Sequence, residues 1–137
     1  MYRIETNNFI LELIPEEHQD EYPYPTNNSL RVKVSSYGFS ADNYIDADEL
    51  HLTYFAVELN KLYETLQGSA KLEDPYGARS YIEFIARSGG HIRVVGRINN
   101  NEAHGFEQEL SFDNEIDQTY LRGFAKALFD DYGKYAE

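Results

Sequence analysis

The sequence predicts one α+β domain in which a mainly antiparallel sheet of about five to six strands packs against two amphipathic helices. Short segments with strand-like apolar patterns are the first observation. Two longer segments repeat their apolar residues at helical spacing, one in the middle of the chain and one at its end. Tight turns join neighbouring strand segments, which favours antiparallel pairing because parallel strands need long crossovers. A chain of 137 residues is the size of a single domain, so we expect residues 1–137 to form one core.

Two strands are predicted in the first third of the chain. The segment 9–14 is apolar on one face and partly apolar on the other, and 30–39 alternates cleanly between apolar and polar residues. Between them, 15–28 contains three prolines and several acids without periodicity, so it predicts a long loop. Gly38 predicts a bend before the next segment.

The first helix is predicted at 48–67. Its apolar stripe recurs at spacings of three and four residues and consists of Leu52, Phe55, Leu59, Leu62 and Leu66. Asp46 or Asp48 is the predicted N-cap, since a carboxylate there accepts hydrogen bonds from the first free N–H groups. Gly68 lies where a left-handed residue commonly ends a helix.

The second half predicts four strands and the closing helix. The strands are 69–74, 80–87, 91–98 and 106–112, and the helix is 118–132. Two small glycine-containing segments, at 88–90 and 99–105, predict turns between the last three strands. Outward arginines on the third of these strands are expected to face a row of glutamates on the fourth, as cross-strand pairing favours. No internal repeat is visible.

Composition excludes several classes of protein. The chain has no cysteine, so disulfides, thiolate zinc sites and cysteine nucleophiles are excluded. Its first apolar run contains acids and precedes no small-residue cleavage site, so we expect no secretion signal. No apolar run approaches the ~20 residues that span a bilayer. The expected location is the cytoplasm.

The charge is strongly negative. Twelve Lys and Arg residues stand against 24 Asp and Glu residues, which gives a net charge of −12. Such a field repels phosphate backbones and anionic lipids, so we expect neither direct nucleic-acid binding nor membrane docking. A basic protein partner would be attracted, whereas the alternative interpretation is that the acidity serves solubility alone.

The stretch FDNEIDQTYLRGF raises the question of a catalytic site. Asp117 stands just before the helical run, where its carboxylate can cap the N–H groups of Thr119 and Tyr120. His91 follows two glycines and lies at a strand start, but none of the four histidines has metal-ligand spacing. The sequence favours a cap and a surface histidine over a catalytic pair. We therefore predict no catalytic residue, no metal and no cofactor.

Acids and tyrosines cluster in two segments that could bind a partner. One lies in the predicted long loop and the other leads into the first helix. The candidate partner-binding residues are Glu16, Glu17, Asp20, Glu21, Tyr22, Tyr24, Asp42, Tyr44, Asp46, Asp48 and Glu49. Charge would accelerate association with a basic partner, and buried tyrosines would prolong the complex. The alternative interpretation is a solvated acidic surface.

The order of several motifs resembles WapI-type immunity proteins, a family of small bacterial proteins. The motifs are VSSYGFSA, a leucine-rich helix ending LQGSAKL, GGHIRVVGRI, LSF and DQTYLRGFAKAL, and the similarity covers about 30–129. The most specific parts are the GHI strand start with Gly96 and the DQT start of the second helix. The resemblance implies a cytoplasmic protein that binds and blocks a toxin domain delivered between neighbouring cells. It brings no catalytic residues.

Two other functions remain open at this point. A structural or self-associating domain would form a homodimer through an uncovered sheet edge or through the arginine face. A small enzyme would use His91 or Asp117 in a deep pocket with perturbed titration.

Overall fold

The computed structural model describes residues 1–16, 29–75, 79–103 and 105–135 of the chain. Four strands followed by a helix occur twice in this part of the chain. The first unit comprises β1 (Tyr2–Glu5), β2 (Phe9–Glu16), β3 (Ser29–Ser36), β4 (Phe39–Asp46) and α1 (Glu49–Thr65). The second comprises β5 (Ser69–Glu73), β6 (Tyr81–Ala86), β7 (His91–Ala103), β8 (Phe106–Asp117) and α2 (Gln118–Tyr132). The element order thus repeats although the sequence shows no repeat.

Each unit forms its own antiparallel sheet. The strand orders are β1-β2-β3-β4 and β5-β6-β7-β8, so every strand pairs with its neighbour in sequence. The α+β class with two helices is confirmed. The prediction of a single sheet of five to six strands is wrong, because the described residues form eight strands in two sheets.

The sequence pattern misses β1 and β4 for different reasons. β1 is only four residues long, too short for periodicity to stand out. β4 is rich in Asp, Asn and Ser, which are uncommon in strands. It nevertheless pairs along its whole length with β3, because Tyr37 and Gly38 form a tight turn between them. The predicted strand 30–39 therefore divides into β3, a turn and the start of β4.

The predicted polar connections are also shorter than expected. Pro15 and Glu16 belong to β2 rather than to a loop, while residues 17–28 lie outside the described part of the chain. The polar segment 99–103 extends β7 instead of forming a turn, and β8 begins at Phe106. Polar residues can remain in strands here because the two long strands pair with each other.

The helix predictions are close to the observed bounds. Asp48 caps α1 and Asp117 caps α2, and in each case a side-chain oxygen accepts a backbone N–H within the first turn. The end of α1 differs from the prediction: Leu66, with φ of 54°, is the left-handed residue. Gly68 also has positive φ but lies just before β5.

The core lies between the sheets and helices. Both helices turn apolar stripes inward, and Phe84 of β6 contacts Phe55 of α1 and Phe124 of α2 at ring distances of 6.0 and 5.7 Å. The two sheets meet through Phe9 of β2 and Phe112 of β8, whose ring centres lie 5.8 Å apart. One core therefore joins both units.

Polar contacts extend the junction between the sheets. The Nδ2 group of Asn114 in β8 donates to the hydroxyl of Ser36 in β3 at 3.0 Å. The Nδ2 group of Asn43 in β4 lies 3.5 Å from the carbonyl oxygen of Asn99 in β7. The inner side of β4 thus faces the β7–β8 hairpin, and this placement determines which surfaces stay open to solvent.

Candidate functional site

Two of the predicted acidic segments meet at one end of the first sheet. Glu16 of β2 pairs in register with Ser29 of β3, and Ser29 pairs with Asp46 of β4. Strand pairing therefore places the Glu16 and Asp46 carboxylates in the same end row, two strands apart, about 10 Å from backbone to backbone. The sequence alone gave no reason to join these segments, since 29 residues separate them.

Exposed apolar side chains lie close to Asp46 along the chain. Tyr44 lies on the outer face of β4 and is 47% exposed, while Leu50 and Tyr54 in the first two turns of α1 are 56% and 64% exposed. Leu50 and Tyr54 are four residues apart, so they share one face of the helix. We call Glu16, Tyr44, Asp46, Leu50 and Tyr54 the acidic-aromatic end.

Sequence reasoning missed Leu50 and Tyr54. The signal was present, because neither residue falls on the apolar stripe that buries α1. An apolar side chain off the stripe of a well-defined amphipathic helix has to face solvent. Position relative to the stripe, rather than residue type, would have identified both.

Asp48 and Glu49 have structural tasks at the helix start. The Oδ1 atom of Asp48 accepts the backbone N–H of His51 at 2.9 Å, and His51 Nδ1 lies 2.6 Å from the same oxygen. Glu49 is the first residue of α1, and its charge is favourable beside the positive end of the helix dipole. The Asp48 carboxylate is therefore engaged by its own helix.

Asp42 is engaged by an arginine. Arg31 donates from Nε and from one terminal nitrogen to the two carboxylate oxygens of Asp42, at 2.9 and 2.7 Å. These hydrogen bonds lower the pKa of Asp42 and raise the pKa of Arg31. The middle of the outer face also carries Lys33 beside Asp42, so its charges are mixed. The end row of Glu16, Ser29 and Asp46 holds two acids and no basic residue.

The other predicted partner-binding residues lie outside the described residues. They are Glu17, Asp20, Glu21, Tyr22 and Tyr24. Their place on the partner face stays a prediction.

The arginine face of the second sheet forms in part as predicted, because Arg97 has the expected glutamate partner while Arg93 pairs with Asp113, beyond the predicted strand 106–112. Arg93 of β7 binds both carboxylate oxygens of Asp113 in β8 at 2.8 and 2.6 Å, and Arg97 lies 3.3 Å from Glu109. The Arg93 hydrogen bonds lower the pKa of Asp113. Arg97 also lies over the ring of Tyr81, 5.4 Å from its centre. This face is therefore largely neutralised within the chain.

His91 and Asp117 come together, but on an exposed surface. They are register partners across β7 and β8, and His91 is 52% exposed with its Nδ1 atom 3.3 Å from a Glu115 oxygen. Asp117 accepts the N–H of Thr119 at 2.9 Å, and this hydrogen bond lowers its pKa. Asp117 is exposed, and its hydrogen bond favours the ionised carboxylate. Both properties are typical of a helix cap. A general base instead needs burial that raises its pKa.

Within the described ranges, no three His, Cys, Asp or Glu residues group so as to hold a metal ion. Of the helices described above, none has the length and apolar character that a bilayer crossing requires.

Comparison with known families identifies the family of this chain, which the geometry alone does not. No curated protein shows a significant match to the chain. The sequence pattern of the family described as "Immunity protein WapI-like family" matches residues 3–136, nearly the whole chain. The resemblance seen in the motif order is thereby confirmed and extends over both units of the fold. The chain belongs to the WapI-like family of immunity proteins.

Proposed function

We propose that this chain is a non-enzymatic immunity protein that binds a toxin domain in the cytoplasm and blocks it. Membership of the family carries this proposal, because immunity implies a partner to be neutralised. The exposed positions of His91 and Asp117 support a binding role over a catalytic one. A net charge of −12 favours a basic toxin domain as the partner.

The acidic-aromatic end is the partner face that we propose. It combines carboxylates at Glu16 and Asp46 with three exposed side chains large enough to fill pockets. Interfaces depend on such a composition, in which a few aromatic anchors contribute most of the affinity and charges around them accelerate encounter. We propose that the acids and tyrosines of 17–28 add to this face, because the flanking residues Glu16 and Ser29 lie in its end row.

We expect a smaller contribution to partner binding from Asp42, Asp48 and Glu49. Asp42 is held by Arg31, and Asp48 by the start of α1. A partner cation would have to compete with these hydrogen bonds at Asp42 and Asp48, and with the positive end of the α1 dipole at Glu49, so each of the three contributes less than the acids of the end row.

A protection assay tests the function. The gene next to this chain's gene is first tested for toxicity, and cells that express a toxic product of it should survive when they also express the parent chain. Tyr44→Ala and Tyr54→Ala should each weaken binding by roughly 10-fold to 100-fold, the range of interface aromatic anchors. Because both rings are exposed, the thermal midpoints should stay at the parent value.

Charge variants test whether the acids of the end row accelerate association with the toxin domain. Glu16→Gln and Asp46→Asn together should slow association with the toxin domain, and the loss should shrink in high salt because screening removes the field. Glu64→Gln and Glu83→Gln together, on α1 and β6, remove the same number of charges elsewhere; this double variant is the matched control and should leave association nearly unchanged. Failure of the parent chain to protect cells would refute the immunity function. Full protection by the Tyr44→Ala and Tyr54→Ala double variant would refute only the face.

Self-association is the second candidate function, and one observation favours it. Among the described strands, β1, β4, β5 and β8 stand at sheet edges, and each pairs on one side only. An open edge can accept a strand from a second copy. The arginine face is a weaker candidate for a dimer contact, since its ion pairs are already made within the chain. Light scattering of the purified chain distinguishes a dimer from a monomer.

A further inference from the structure

The outer face of the first sheet carries charges that alternate in sign from strand to strand. Register pairing places one residue from each strand in a single row across the sheet, in the order Arg3, Glu12, Lys33, Asp42. The charges along this row are positive, negative, positive and negative. We call these four residues the alternating row. Each of them has an opposite charge beside it on the neighbouring strand, which stabilises the sheet.

Apolar side chains lie close to this row on the same face. In β2 and β3 the inward residues are buried in the core, whereas the outward residues between them keep part of their surface in solvent. Ile10 and Ile14 are two outward apolar residues of β2. An open groove of about 290 Å³ lies beside the row, and its lining includes Ile10, Val34 and Ala41. The face therefore combines apolar surface with charges of both signs.

This face is neutral although the chain is strongly acidic. The rows on either side of the alternating row add one acid on β1 and one arginine on β3. Three basic and three acidic residues then stand on the face, and they are Arg3, Arg31, Lys33, Glu5, Glu12 and Asp42. A basic partner gains little attraction here. Two copies that each carry a net charge of −12 repel one another, so a neutral face is where they can approach.

The alternating row is complementary to itself when a second copy faces it across a two-fold axis. If the axis runs along the strands between β2 and β3, β1 faces β4 of the second copy and β2 faces β3, with each row opposite itself. Arg3 then faces Asp42 of the second copy, and Glu12 faces Lys33. An axis across the strands at this row would instead place like charges opposite each other. Charge complementarity thus selects one orientation of the second copy.

The next row fits the same arrangement. Ile10 faces Ser35 of the second copy, and both residues line the groove. The Ile10 side chain of each copy therefore meets the groove of the other. Glu5 in this row faces Ser40, which carries no charge. Sheets that pack face to face lie about 10 Å apart, a distance that side chains from both sides can fill.

We propose that two copies of this chain pack together through the outer face of the first sheet, about this two-fold axis. The inference is independent of the proposed immunity function. Four strands about 4.8 Å apart and rows about 6.7 Å apart give a contact of roughly 400 Å² per copy. That is about half of a standard interface, so we expect a weak dimer with a Kd on the order of 100 μM.

The pair nearest the axis should contribute most to this dimer. Glu12 and Lys33 lie on the two middle strands, and the two-fold axis repeats their contact. The outer pair has competing contacts within the chain, because Arg31 binds Asp42 and Arg3 lies 3.1 Å from Glu5.

Sedimentation equilibrium of charge-reversed variants tests the facing pair. The parent should change from monomer to dimer between about 10 μM and about 1 mM, and Glu12→Lys or Lys33→Glu alone should raise Kd by about 10-fold or more. An equimolar mixture of the two variants should dimerise again, because each introduced charge faces its opposite on the other chain. Lys71→Glu and Glu83→Lys, which reverse a register pair of the second sheet, are the matched controls and should dimerise like the parent.

An uncharged variant provides a second test should a charge reversal impair folding. Ile10→Ser removes the side chain that meets the groove and should raise the dimer Kd by about 10-fold, while circular dichroism shows the parent fold. A parent chain that stays monomeric up to about 1 mM overturns the inference, since the contact area predicts a dimer in that range. Loss of the dimer in the control variants would place the contact on the second sheet and overturn it too. If the mixture fails to restore the dimer, Glu12 does not face Lys33 and the proposed axis is wrong. None of these measurements uses a toxin domain, so each leaves the immunity function to its own test.

Discussion

Two glycine-to-alanine substitutions should change stability in opposite directions. Gly96 lies in β7 beneath the ring of Phe112, and an added Cβ would come 2.4 Å from Phe112 Cζ and 2.7 Å from the backbone oxygen of Tyr81. Gly123 lies in α2, where an added Cβ meets nothing within 4 Å. The same chemical change therefore meets a filled site in one case and open space in the other.

The magnitudes follow from packing and chain entropy. The Phe112 ring cannot retreat freely because it packs against Phe9, and the Tyr81 oxygen belongs to the backbone of β6. Overpacking costs about 1–3 kcal/mol, offset by about 0.5–1 kcal/mol because alanine restricts the unfolded chain. Gly96→Ala should therefore lower the free energy of unfolding by about 1–2 kcal/mol. Gly123→Ala should raise it by about 0.5–1 kcal/mol, since alanine favours a helix interior.

Thermal and urea unfolding measure both effects. For a domain of this size, 1 kcal/mol corresponds to roughly 3–5 °C in Tm. Phe112→Leu provides a further check, because it removes the ring atoms nearest the new methyl group. Gly96→Ala should cost less in the Phe112→Leu background than in the parent. An equal cost in both backgrounds, or a Gly96→Ala protein as stable as the parent, would refute the packing argument.

Three further predictions concern stability. Asp117→Ala should destabilise α2 at neutral pH, whereas Asp117→Asn should not. The difference in stability between Asp117→Ala and the parent should fade as pH falls below about 4, because the pKa of Asp117 is lowered and the ionised cap stabilises the fold only above that pKa. Urea unfolding at several pH values measures this difference. Tyr2→Phe should lower the free energy of unfolding by about 0.5–1.5 kcal/mol, because it removes the hydrogen bond to Asp131. Burial raises the pKa of Tyr2 in the folded state, so the parent, but not Tyr2→Phe, should lose stability through this group above about pH 10. Melting curves at alkaline pH would show this difference. Phe84→Ala should cost about 3–5 kcal/mol, since Phe84 is fully buried between both helices, and a Tm within a few degrees of the parent would contradict this.

Local patterns in the sequence determined the helices and most strands. The stripe and cap of α2 predicted its bounds at Gln118–Tyr132, because capping and amphipathicity are both properties of adjacent residues. The hairpin around Gly89 and its outward arginines also followed from short-range alternation and turn chemistry. The acidic composition and the absence of cysteine limited the classes of partner and chemistry.

Only the tertiary structure decided the number of sheets and the surfaces they expose. β4 forms because β3 supplies hydrogen-bonding partners for residues with low strand propensity, which no local window records. The same pairing brings Asp46 into one row with Glu16, and the junction of the two units places Asn43 of β4 and Gln108 of β8 on one groove. Contacts between residues far apart in sequence depend on how complete sheets pack. Local patterns therefore identified these side chains by type, while packing alone decided which of them share a surface.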